Sequence, residues 1–169
     1  MLHFKYHLYT LLLMQLTQFS DIGLRLMMYL AKEKRDMPAI TLAEIATQFD
    51  VPRNHVAKVA GKLIKHSWVS GMRGRSGGLH LAKSPHDIYL GKVLRVLEGH
   101  ESVIDCEKLQ CRLKGDCELK LALAKAYEAF FDVLDGYTLA DIIQGSAGKQ
   151  IVTMQHGFMA TFLAKSTIQ

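Results

Sequence analysis

The chain has 169 residues, with 21 lysines and arginines against 16 aspartates and glutamates and a formal net charge of +5. Apolar residues make up 49% and charged residues 22%, which excludes a disordered chain and suits one domain with an extension rather than two full domains. No apolar run reaches the roughly 18–20 residues of a membrane span.

Residues 1–13 (MLHFKYHLYTLLL) carry one lysine and then a short apolar stretch, loosely like a signal peptide, but no small-residue cleavage site follows. Met14 reads as the natural start, residues 1–13 as an upstream extension, and the protein as cytoplasmic. From Ser20, taken as an N-cap, the spacing predicts a helix with Ile22, Leu26, Tyr29 and Leu30 on one face, ending near Lys34 ahead of Pro38. Thr41-Leu-Ala-Glu44 has the form of a capping box and opens a short helix, Leu42–Phe49. Asp50-Val51 makes a tight turn, and Pro52 starts a further helix to about His66 that buries Val56, Val59, Ala60, Leu63 and Ile64. Two short helices joined in this way form a helix-turn-helix. Two β-prone stretches, 68–70 and 79–81, around a glycine-rich tip predict a hairpin wing beside it.

Between Arg53 and Lys83 lie seven lysines and arginines and no acid, more than the excess of the whole chain. That local footprint is what neutralising DNA phosphates requires. Arg53, Asn54 and His55 stand at the start of the recognition helix, within reach of base edges in a major groove. Lys58 and Lys62 follow as further candidates for DNA contact, and Arg73 and Arg75 on the wing are placed for a minor groove.

Beyond the wing, 88–98 (IYLGKVLRVLE) reads as an amphipathic helix closed by Gly99. All three cysteines then fall in one polar stretch, Cys106-x4-Cys111-x5-Cys117. Core cysteines would be scattered among apolar segments, so clustering points to a metal or redox centre. The chemistry alone admits an iron–sulfur cluster, a zinc ion, or thiol redox sensing, and a metal would need a fourth ligand. Residues 117–134 form a long helix with Leu119, Leu123, Ala126, Tyr127, Phe130 and Leu134 as a stripe, suited to a homodimer reading a palindromic operator. Residues 138–142 add one turn, and 145–169 form a tail, partly mobile, with no functional signal. No cysteine stands beside a base, and no triad or phosphate-cradling motif occurs, so an enzyme is not expected. The eight histidines are scattered rather than grouped.

Four stretches together resemble the iron–sulfur winged-helix repressors typified by NsrR and IscR: 14–25 (MQLTQFSDIGLR), 75–83 (RSGGLHLAK), the ending Val-Leu-Glu98-Gly99, and the cysteine loop. The likeness covers about residues 14–142 and is stronger to the NsrR-like, nitric-oxide-sensing branch. IscR-like members carry two five-residue gaps and a histidine three residues after the last cysteine. Here the first gap is four and that position is Lys120. NsrR-like members take a carboxylate from the partner subunit, and Asp21 sits at the matching place.

The resemblance implies a homodimer with a cluster, [4Fe–4S] in first place and [2Fe–2S] as the alternative, held by Cys106, Cys111, Cys117 and Asp21. It implies repression of nitric-oxide detoxification genes, relieved when nitric oxide destroys the cluster. An iron–sulfur-biogenesis regulator with [2Fe–2S], or a winged-helix protein with structural zinc, are the competing readings. The fold expected is mainly α with a small β-hairpin wing: a winged helix-turn-helix domain over 14–99, a cysteine loop over 100–118, and a dimerisation helix region over 119–144.

Overall fold

The computed structural model describes residues 16–32, 39–72, 74, 77–99, 103–104, 106, 111–113 and 117–166. Helix α1 (Gln18–Ala31) is capped by Thr17, whose hydroxyl accepts from the Ser20 amide at 3.2 Å. The expected cap, Ser20, is instead a buried residue of the first turn. The reason lies across the fold: Thr17 N–H and Thr17 Oγ1 both donate to Glu98 Oε1, at 2.9 and 3.2 Å, so the chain is pinned three residues earlier. The helix ends at Ala31 rather than near Lys34, and 33–38 lie outside the described residues.

Helix α2 (Leu42–Gln48) has the Thr41 cap, its hydroxyl accepting from the Glu44 amide at 3.1 Å. The Glu44 carboxylate, expected at the helix start, turns inward to accept from the Tyr29 hydroxyl at 2.8 Å. Both residues are buried, and Tyr29 also meets Phe49 edge to face. A hydrogen bond to a buried charge is worth about 1.5–3 kcal/mol. Tyr29→Phe is therefore expected to cost that much in chemical denaturation, and an unchanged stability would remove this bond from the account of the core.

Asp50 takes the left-handed conformation (φ 50) in the turn, and Pro52 stands as N-cap of α3 (Arg53–Lys65), where its missing N–H leaves no helical bond unmade. Val56, Val59, Ala60 and Leu63 face the core. Ile64, expected with them, is 41% exposed, because Leu63 takes the inward position and the next residue lies 100° round the helix. Strands β1 (Val69–Gly71) and β2 (Leu79–Leu81) form the antiparallel wing, with Val69 opposite Leu81 and Gly71 opposite Leu79. Ile40 extends the pairing: its carbonyl accepts from Leu79 N–H at 2.8 Å, which ties the wing to the start of α2.

Helix α4 (Leu90–Glu98) begins two residues later than expected. A short 3-10 turn over Pro85–Asp87 intervenes, and Ile88 and Tyr89 run extended, pairing with the segment around Thr138. Gly99 ends α4 in the left-handed conformation (φ 65) that only glycine adopts freely.

Helix α5 (Glu118–Asp135) packs on α4 through Phe131, its one fully buried residue, with Tyr127 alongside. Leu119 and Phe130 of the expected stripe are exposed, on the face turned away from α4. Gly91 decides this, since a methyl there would strike the Phe131 carbonyl at 2.5 Å, so the backbone of α5 lies directly on α4 at that point. Helix α6 (Leu139–Ile142) has a complete capping box from Thr138 and Asp141, and it sends Leu139 into the main core.

Residues 145–169 do not form a mobile tail over their described part. They carry a seventh helix, α7 (Ser146–Ser166), which lies on α1 and α2. Ile151 joins the core, and Gln155 Nε2 donates to the Tyr29 carbonyl at 2.8 Å. The architecture is mainly α with one two-stranded wing, and no helix among the described residues is long and apolar enough to cross a membrane.

Candidate nucleic-acid interface and cysteine loop

The buried and exposed faces of α3 separate cleanly. With Val56, Val59, Ala60 and Leu63 inward, Arg53, Asn54, Ala57, Lys58, Gly61 and Lys65 point to solvent. Asn54 Oδ1 accepts from the His55 amide at 3.0 Å, which steadies the first turn where no N-cap side chain does so. His55 is half-buried in a hollow of about 230 Å³ beside Gln18, Phe19 and Ile22 of α1. Lys62 is also half-buried. It faces a second hollow, about 330 Å³, shared with His66, Arg95 and Tyr127. The candidate DNA residues of α3 are thus not equivalent: Arg53, Asn54 and Lys58 lie on the outer face, whereas His55 and Lys62 lie at its flanks. Lys65, counted in the basic block but not singled out as a contact, joins the outer face; its place two turns beyond Lys58 was the available signal.

Arg73 and Arg75 lie outside the described residues. The wing that leads to them is held by Met72 N–H donating to the Gly78 carbonyl at 2.9 Å. Met72 is exposed.

The cysteines sit in the connection between α4 and α5, that is, between the reading unit and its long outer helix. All three are free thiols of intermediate burial. Cys111 N–H donates to the Cys106 carbonyl at 3.1 Å, and Cys117 stands at the N-cap of α5. Among the described residues no three of His, Cys, Asp and Glu converge on one point. Asp21, in the first turn of α1, is half-exposed and paired with Arg25 at 2.8 Å. Asp21 is therefore not gathered with the cysteines into a described ligand set within one chain.

Two contacts connect these parts. Glu98, the last residue of α4, clamps Thr17 and so fixes the start of the helix that bears Asp21. Its place just before Gly99 was visible in the sequence, but its partner, 81 residues away, was not. Arg95 lies over the Phe131 ring at 4.7 Å and is within 3.0 Å of Asp132, 3.4 Å of Glu128 and 3.7 Å of Asp135. One cation on α4 thereby gathers three carboxylates on α5. Burial and the nearby Glu98 and Glu128 raise the Tyr127 phenol above its usual range, so it stays protonated there. On the opposite face of α5, Leu119, Phe130 and Val133 are all exposed among the described residues.

Comparison with known proteins places these features. A family model described as "Rrf2: Iron-dependent Transcriptional regulator" matches residues 16–145. Among solved structures the chain is similar to CymR (YrzC), the global cysteine regulator of B. subtilis, with 25% identity, a TM-score of 0.61, and coverage of 77% of this chain and 96% of that one. It is similar to Staphylococcus aureus CymR at 28% identity, covering 75% of this chain and 96% of that chain with a TM-score of 0.59. T. potens IscR matches at 26% identity over 77% of this chain and 86% of the other, again at a TM-score of 0.59.

Proposed function

Since the chain belongs to the Rrf2 family, whose members are DNA-binding transcriptional regulators and not enzymes, we propose that it is a homodimeric repressor that senses nitric oxide through an iron–sulfur cluster. The observation that carries this reading is the position of Cys106, Cys111 and Cys117 in the one connection between the reading unit and α5. Three soft thiolates fit iron–sulfur ligation, and the iron dependence in the family description favours iron over structural zinc. Cys106, Cys111 and Cys117 would hold the cluster, with the partner subunit's Asp21 as fourth ligand. The bound cluster supplies iron atoms open to attack by nitric oxide, the more so where a carboxylate replaces a thiolate.

The remaining work belongs to the chain. Arg25 Nε holds Asp21 Oδ1 at 2.8 Å, which orients the carboxylate and leaves Oδ2 as the oxygen that would face a metal. Glu98 holds the start of α1 against the last residue of α4, so a change in the loop beyond Gly99 is felt at both helices. Arg95 transmits the position of α5 to α4, and α4 packs against α1 beneath the reading head. Palindromic half-sites lie about 34–36 Å apart, so a small shift in these contacts mis-spaces the two recognition helices. Arg53, Asn54, His55, Lys58 and Lys62, with Arg73 and Arg75 of the wing, form the proposed DNA surface. The likeness to T. potens IscR is the observation favouring a [2Fe–2S] biogenesis regulator as second reading; Lys120, at the position of that branch's histidine, weighs against it.

The test is iron and sulfide analysis of anaerobically purified protein, with absorption followed through a nitric oxide titration. A duplex selected by the protein from a random pool then reports DNA affinity. Four irons per chain, bleaching by nitric oxide and release of the duplex are the expected results. Asp21→Ala should shorten the lifetime of the cluster while leaving the fold intact, because its exposed i,i+4 pair with Arg25 is worth only about 0.3–0.5 kcal/mol. A colourless zinc protein, or equal affinity before and after nitric oxide, would overturn the sensor reading.

A further inference from the structure

Gly61 stands in the middle of α3, where every residue type except proline is better suited to a helix. Other helical glycines have an internal cause. A methyl at Gly23 would meet Leu97, one at Gly91 the Phe131 carbonyl, and one at Gly148 the Ile143 carbonyl. At Gly61 a methyl would meet nothing within 4 Å, and the residue is exposed. Gly157 in α7 shares that open space, but it lies in a groove lined by Met154, Phe158 and Thr161 without a cation. Gly61 lies on the outer face of the recognition helix, between Lys58 and Lys65 and beside Lys62. Nothing among the described residues uses the missing side chain, which points its use outward, to the side on which Lys58 and Lys65 lie.

We propose that Gly61 is a specificity-determining position at which the backbone of α3 lies against base edges of the major groove, at a depth a side chain would forbid. The proposal rests on the DNA-reading role of α3 given above. The constraint is steric: a helix with side chains is about 10–12 Å across and the groove about 12 Å wide, so a helix lying along the groove has almost no clearance. Gly61 is eight residues beyond Arg53, about 12 Å further along the axis. Base contact therefore continues past the first turn of α3, and the helix lies along the groove instead of entering by its tip. Glycines commonly occur where a backbone must approach another surface closely.

The experiment compares the full-length wild-type chain with Gly61→Ala, both prepared anaerobically. Three quantities are measured: the melting temperature, the affinity for a duplex that the wild type selects from a random pool, and the affinity for a scrambled duplex of equal length. Removing a solvent-exposed mid-helix glycine should raise the melting temperature by about 2–4 °C. Affinity for the selected duplex should fall by about tenfold per half-site, the scale of one mismatched base pair. Affinity for the scrambled duplex, held through phosphates, should stay within about twofold. A more stable variant that loses only specific binding establishes the role. Undiminished specific binding, equal loss on both duplexes, or a lowered melting temperature would each overturn it. If the wild type enriches no duplex at all, the DNA-reading role of α3 has failed first and this proposal falls with it, an outcome distinct from the other three.

Discussion

Ile151→Ala is expected to lower the stability of the chain by about 2–5 kcal/mol, whereas Phe162→Ala, three turns further along the same helix, should cost less than about 1 kcal/mol. Ile151 is 5% exposed and belongs to the cluster that contains Leu26, Tyr29, Leu63 and Leu139. Phe162 is 44% exposed, at the end of α7 that overhangs α2. Truncating Ile151 removes three carbons from a packed site, and Gly148 and Gln155 on either side hold α7 too closely for the gap to close. Gln155 reaches the Tyr29 carbonyl, while Gly148 lies against the Ile143 carbonyl and the Lys32 side chain. The loss has a ceiling, which is the free energy with which α7 docks. Beyond it the helix lifts away as a unit. For a chain of this length the predicted fall in melting temperature is about 5–15 °C. Equal small effects at both positions would mean that α7 contributes nothing to the fold, although it lies beyond the 16–145 match and against the helix-turn-helix.

What could be read from the sequence was what short-range chemistry decides. The Thr41 cap, the Asp50 turn, Pro52 before α3 and Gly99 after α4 each depend on residues within a turn of themselves, and each stands where expected. The basic outer face of α3 was legible for the same reason, since four inward residues at helical spacing leave only one side for the cations. The misses depend on distant partners. Ser20 loses the cap to Thr17 because of Glu98, 81 residues away. Phe131, outside the expected stripe, goes inward because Gly91 and Arg95 on another helix form its seat. Helix α7 carries Gly148, Gly157 and two threonines, and its apolar residues do not mark one face clearly, so its pattern is faint. Its glycine at 148 also lies against the Lys32 side chain, more than a hundred residues earlier, which no local rule discloses. The cysteine loop was conspicuous by spacing alone, but spacing does not specify what completes its ligand set. The described residues of one chain bring no such set together.

Val133→Glu carries the largest expected effect on function, because it acts on dimerisation without touching the reading head. Val133 is 65% exposed in the chain, so the substitution leaves the packing of α4 on α5 through Phe131 and Arg95 in place. Leu119, Ala126 and Val133 recur every seven residues on the face of α5 turned away from α4, with Phe130 beside them. An exposed apolar seam of that kind is the mark of a helix that meets another surface. In a twofold-symmetric dimer of a family that is typically dimeric, each copy presents the same seam. One substitution then places two carboxylates in one interface. Burying unpaired charge costs several kcal/mol, enough to separate the subunits at micromolar concentration. Sedimentation should show a 19.0 kDa species in place of a dimer, with unchanged helical content by circular dichroism. A lone subunit engages one half-site, so affinity for a selected duplex should fall by about a thousandfold or more, towards the non-specific range. A variant that remained dimeric would show that the outer face of α5 is not the interface. One that became monomeric yet kept full affinity would show that this chain reads DNA without the symmetry that a palindromic operator requires.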